Sequence, residues 1–160
     1  MSVLDALADL GIQASVSGPA PITEADYLER VTIHEGDRPD WRTVVKKLAE
    51  QERVERIEAI REEASRRMRH FLQARDKEHL SQIIINGHRE ATRLQEIKIE
   101  HLADPTNRPE LTQSEHQRVE QLKSVDRMLE AIRSASNNIP DDVDFADDQY
   151  WPTARNSVPA

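Results

Sequence analysis

The sequence predicts an all-α fold: a long helix, a capped second helix in a hairpin or coiled-coil bundle, and extended arms at both termini. Three observations carry that expectation. Residues 41–103 contain no proline and one glycine, Gly87. Their apolar residues recur at spacings of three and four, the signature of a single narrow helical seam. A second run with the same spacing starts directly after Thr112-x-x-Glu115, a capping box. Aromatics make up only 4% of the chain and apolar residues 37%, so the core must be thin and aliphatic, and four glycines are too few for a turn-rich β fold.

Residues 1–40 read as an N-terminal arm with short helices. Ser2 can cap a first helix whose Val3, Leu4, Leu7 and Leu10 share one face, with Gly11 as its stop. Residues 12–22, with two prolines, read as an extended linker. Thr23-x-x-Asp26 opens one or two further turns, and a loop over 34–40 leads to Asp40 as the cap of the long helix.

Residues 41–136 form the expected hairpin or coiled-coil domain. The seam residues expected to meet a neighbouring subunit are Val54, Ile57, Ile60, Met68, Phe71, Ile83, Ile84 and Leu94 on the long helix. Val119, Leu122, Leu129 and Ile132 continue that interface on the second helix. An unbroken helix over 42–102 would extend about 90 Å at about 1.5 Å per residue. A break is therefore expected, either in the wholly charged stretch 75–78 or at Asn86-Gly87. A loop over 104–109 is short enough to return the chain antiparallel. Residues 137–160 are an acidic tail whose Phe145, Tyr150 and Trp151 read as anchors, docked on the chain's own helices or on a partner.

Charge is unevenly spread. Residues 1–40 carry 2 basic and 8 acidic groups, 41–103 carry 14 and 11, 104–136 carry 5 and 6, and 137–160 carry 1 and 5. The net charge of −8 argues against nonspecific nucleic-acid binding over the whole surface. The densest basic cluster, Arg66, Arg67, Arg69, Arg75 and Lys77, is interleaved with acidic residues and reads as a solvated helix face. With no cysteine, thiolate metal sites and disulfides are excluded. The six histidines form no pair at metal-ligand spacing on one helical face, so neither metal nor cofactor is expected. No phosphate-binding glycine loop, nucleophile elbow or calcium loop is present, and the chain is expected not to be an enzyme. No apolar run is long enough to span a bilayer and the N-terminus lacks the pattern of a signal peptide, so a soluble intracellular protein is expected.

Four pieces carry a resemblance. They are Pro109-Glu110-Leu111-Thr112, the helix bearing Leu129 and Ile132, Ile139-Pro140, and Trp151-Pro152; the arginine-bearing helix over 57–69 accompanies them. In this arrangement the chain resembles small tail proteins of tailed bacteriophages, including tail-fibre assembly proteins. It lacks that family's Trp-containing link and Tyr-Arg pair, and residues 1–40 have no counterpart there. The resemblance implies a non-enzymatic structural or assembly protein of the tail, baseplate or fibre region, acting by helical oligomerisation and arm docking. Its partners would be its own subunits and tail or fibre proteins, with no membrane, in the virion or in the host cytoplasm during assembly. Two alternatives stand beside it: a tail-fibre chaperone absent from the mature virion, and a nucleic-acid-associated packaging factor using the basic cluster.

Overall fold

The computed structural model describes residues 2–153. The chain is mostly helical but not strictly all-α. Its elements run α1 (Val3–Asp9), β1 (Gln13–Val16), α2 (Glu24–Arg30), β2 (Val31–Glu35), α3 (Trp41–Phe71), α4 (Lys77–Ala103) and α5 (Gln113–Asn137), with a 3-10 turn at Asp148–Tyr150. They gather into two compact units, 1–59 and 60–160, whose boundary falls within α3.

The first unit corrects the expected N-terminal arm. Ser2 caps α1 through a capping box with Asp5, and Gly11 follows its end at φ 74, a backbone conformation that glycine adopts without steric cost. The stretch read as linker contains β1, which pairs antiparallel with β2; Ala14 faces Ile33 and Val16 faces Val31. Thr23 caps α2 as expected, accepting from the Asp26 amide at 3.2 Å. Val3, Ala6, Leu7, Tyr27, Val31 and Val44 form a buried core, with Ile12, Ala14, Val16, Ile33, Trp41 and Leu48 packed around it. The apolar residues of α1, β1, α2 and β2 thus meet the first turns of α3. This burial, rather than local propensity, makes the sheet, because a two-stranded ribbon is marginal without a packed face.

Polar groups hold the same core in register. The Tyr27 hydroxyl donates to the Pro39 carbonyl at 3.0 Å. Arg38 donates to the carbonyls of Tyr27 and Val31 at 3.2 and 2.6 Å and lies 5.2 Å from the Tyr27 ring centroid. Asp40 caps α3, accepting from the Thr43 amide at 2.8 Å. Gln51, almost fully buried, donates to Asp9 at 2.6 Å and ties α3 to α1.

The second unit holds the rest of α3, then α4, α5 and the tail to residue 153. The long helical stretch breaks at residues 72–76 without glycine or proline. Gln73 takes φ 52. The Ala74 amide donates to Arg69 O at 2.8 Å and the Gln73 amide to His70 O at 3.2 Å, the two bonds of a Schellman stop. Asp76 then caps α4, accepting from the His79 amide at 2.7 Å. The alternative break at Asn86-Gly87 does not occur, since α4 runs through both residues. A Cβ at Gly87 would lie 3.6 Å from Leu122 Cδ2, an ordinary contact, so crowding does not demand glycine there.

Thr112 and Glu115 form the expected capping box at the start of α5. Ile60, Ala64, Met68, Leu80, Met128, Leu129, Ile132 and Trp151 are the buried core of this unit. The expectation of an extended C-terminal arm is therefore corrected: Trp151 lies inside, with Phe145 and Tyr150 packed against the same cluster.

Candidate interaction site

The capping box of α5 and the short connection from α4 place two amphipathic helices side by side and antiparallel. Glu90 meets Arg118 in a two-pronged pair at 2.8 and 3.1 Å, and Arg93 meets Glu115 at 3.8 Å. Counting forward along α4 while counting back along α5 keeps these partners level. The Arg118 hydrogen bond holds the Glu90 carboxyl below the ordinary glutamate range, and the same bond raises the arginine. Thr112 begins α5, so the last turns of α4 extend past the level where α5 starts.

Between the helices lies an open groove of about 930 Å³. Its floor and walls are mainly aliphatic: Ile83, Ala91 and Leu94 from α4, and Val119, Leu122 and Val125 from α5. Leu94 is buried at the base. Ile99 and Leu102 also line the groove, yet they are 56% and 69% exposed, which leaves the outgoing end of α4 without cover. Chemically the groove can receive an apolar surface.

The residues expected to form one interface have several destinations. Ile83, Ile84, Leu94, Val119, Leu122 and Leu129 line the groove. Ile60, Met68, Leu129 and Ile132 are buried in the internal core, and Phe71 packs against it. Val54 and Ile57 lie on the α3 surface, 50% and 38% exposed. Ile99 lies outside the expected seam, and Leu102, a seam position by its spacing, joins it at the groove. Their signal was present in the sequence as apolar residues on a charged helix, but only the positions where α5 begins and ends leave them bare.

The expected docking anchors Phe145, Tyr150 and Trp151 are held by their own chain. The indole Nε1 of Trp151 donates to Phe145 O at 2.7 Å. Arg67 lies 4.9 Å from the Trp151 ring centroid, donates to Ala146 O at 3.0 Å and pairs with Asp148 at 2.7 Å. An arginine stacked on an indole and shielded from water is a stronger contact than a surface ion pair. The basic cluster is largely paired with carboxylates of the same chain. Arg66 and Arg67 pair with Glu63 at 2.6 and 2.7 Å, and Arg69 and Lys77 both pair with Glu62.

Glu63 is the shared partner of Arg66 and Arg67. The hydrogen bond from Arg66, reinforced by one from Arg67, holds its carboxyl below the usual 4.5 despite partial burial. A carboxylate lowered in the folded state stabilises fully above its unfolded value and progressively less as pH falls through the folded one. The second unit is therefore expected to lose stability as pH drops below about 4.5. Glu63→Gln should flatten that part of the stability profile. Chemical denaturation at successive pH values checks this, and an unchanged slope would remove Glu63 from the account.

Among the described residues, no group of three or more His, Asp and Glu side chains could hold a metal ion. No helix there is long and apolar enough to cross a membrane. Comparison with protein-family models, curated proteins and solved structures finds no match to this chain.

Proposed function

We propose that the chain is a non-enzymatic assembly protein that works by offering the α4–α5 groove to the apolar face of a protein partner. The observation that carries this reading is the groove itself. A wide, aliphatic trough on a chain with 32% charged residues is the place where removal from water would release most free energy. The context is the one the sequence resemblance implies, the tail, baseplate or fibre region of a tailed bacteriophage. Pro109-Glu110-Leu111-Thr112 forms the entry to α5, and Trp151 anchors the closing segment.

One observation favours the chaperone form of this reading over permanent incorporation. The aromatic tail is packed on its own helices, so the segment expected to strap onto neighbours is already committed. The ion pairing of Arg66, Arg67, Arg69 and Lys77 supports a protein partner over nucleic acid.

Peptide mass spectrometry on purified particles and on unassembled tail subunits from the same source tests the proposal. The chaperone form predicts the chain with unassembled tail or fibre subunits and its absence from particles. Presence in particles would make it structural. Absence from both would overturn the phage assembly reading.

A further inference from the structure

We infer that the occupant of the α4–α5 groove is the same groove of a second copy of this chain, giving a two-fold-symmetric four-helix bundle. The inference rests on the reading of this groove as a protein-binding surface and names its partner.

Charge is the first argument. The chain carries −8 overall, so two copies repel each other unless they meet where the surface is locally neutral. The groove is such a place. Lys98, Arg118 and Lys123 are balanced there by Glu90, Glu120 and Asp126. Glu90 with Arg118 and Glu120 with Lys123 are paired within each copy, which leaves Lys98 and Asp126, one of each sign, for a two-fold operation to set against each other, as a self-complementary interface requires. A locally neutral groove gives no electrostatic preference to a strongly charged foreign helix.

Area is the second. The groove follows α4 over 83–102; α5 lies beside it up to about residue 95, a paired stretch about 20 Å long at about 1.5 Å per residue and about 20 Å across, and the last turns of α4 add about 10 Å of single helix. Hairpin on hairpin would cover about 500 Å² on each copy, or about 1,000 Å² in total, the least that a well-matched biological interface needs. A single partner helix laid in the trough would cover about half of that. Two hairpins facing each other also reproduce the commonest packing of antiparallel helix pairs around an aliphatic core.

The outgoing end of α4 supplies the test. Ile99 and Leu102 are exposed in one copy, so Ile99→Asp with Leu102→Asp changes no buried contact within it. In the bundle both carboxylates would be drawn from water into an apolar interface, which costs heavily. Light scattering after size exclusion, at micromolar and higher concentrations, should give about twice the 18.4 kDa chain mass for the full chain. The double variant should be monomeric, with association weakened about a hundredfold or more and helicity by circular dichroism unchanged. Val54→Asp, on an exposed part of α3 outside the groove, should remain dimeric. A full chain monomeric at every concentration, or a dimer that survives the double variant, overturns the inference. A monomer whose groove variants lose a tail protein would leave the assembly reading standing and the second copy refuted. A groove-dependent dimer found in neither particles nor subunits would do the reverse.

Discussion

Trp151→Ala is expected to destabilise the second unit by about 3–5 kcal/mol. The indole is 5% exposed and sits in a cluster with Ile60, Ala64, Met68, Met128, Leu129 and Ile132. Removing it deletes a large apolar volume that the surrounding helices cannot fully close. It also leaves the Phe145 carbonyl without its indole donor and takes the aromatic face from Arg67. Urea denaturation followed by circular dichroism at 222 nm should show a lower midpoint, since α4 and α5 report directly on this core. Truncation before residue 141 should act in the same direction, because it removes Phe145, Tyr150 and Trp151 together. A midpoint unchanged in both variants would return the tail to the status of a free arm.

Leu7→Ala should have a comparable effect on the first unit, about 2–5 kcal/mol. Leu7 is fully buried, and its backbone carbonyl also accepts from Leu10 and Ile12 at the exit of α1. The cavity would open beside Val3, Tyr27 and Val44, so the loss should spread to the β1–β2 pairing that this core supports. Amide hydrogen exchange is the readout: the amides of 13–16 and 31–35 should exchange faster in the variant. Ile22→Ala, at a side chain 83% exposed, should change stability by no more than about 0.5 kcal/mol. Equal exchange in wild type and Leu7→Ala would mean that residues 1–40 do not fold as a unit.

Both expectations differ from the arms that composition suggests, and the reason is the same in each case. Residues 12–22 contain Ser15, Ser17, Gly18, Pro19 and Pro21, a composition that reads as linker. Only Gln13–Val16 of that stretch forms β1, and it is held because β2, more than a dozen residues later, supplies both hydrogen bonds and an apolar face. A short strand stabilised by distant contacts leaves little local trace. The tail is similar: its acidic residues advertise solvent, while the few apolar residues that matter, Phe145 and Trp151, find partners on α3 and α5.

What local chemistry sets was legible. Ser2, Thr23, Asp40 and Thr112 each cap a helix as their spacing to the next amide donors implies. The narrow seams of α4 and α5, and the short turn between them, fixed an antiparallel pair. The long helix was expected to break, and of the two sites proposed, the charged stretch is where Asp76 caps a new helix. The left-handed turn at Gln73 just before it was not legible, because glutamine carries no signal for positive φ. That conformation costs about 1–2 kcal/mol and survives because Leu72 and Ala74 on either side are packed against the core. Tertiary structure also divided the seam residues. It buried Ile60, Met68, Leu94 and Ile132 inside one chain, left Val54 and Ile57 at the surface, and opened Ile83, Val119 and Leu122 into a groove. Periodicity alone places an apolar residue on a face. Which face meets the chain's own core and which waits for another molecule depends on where distant segments end, and here that was decided by the tail at Trp151 and by the first residue of α5.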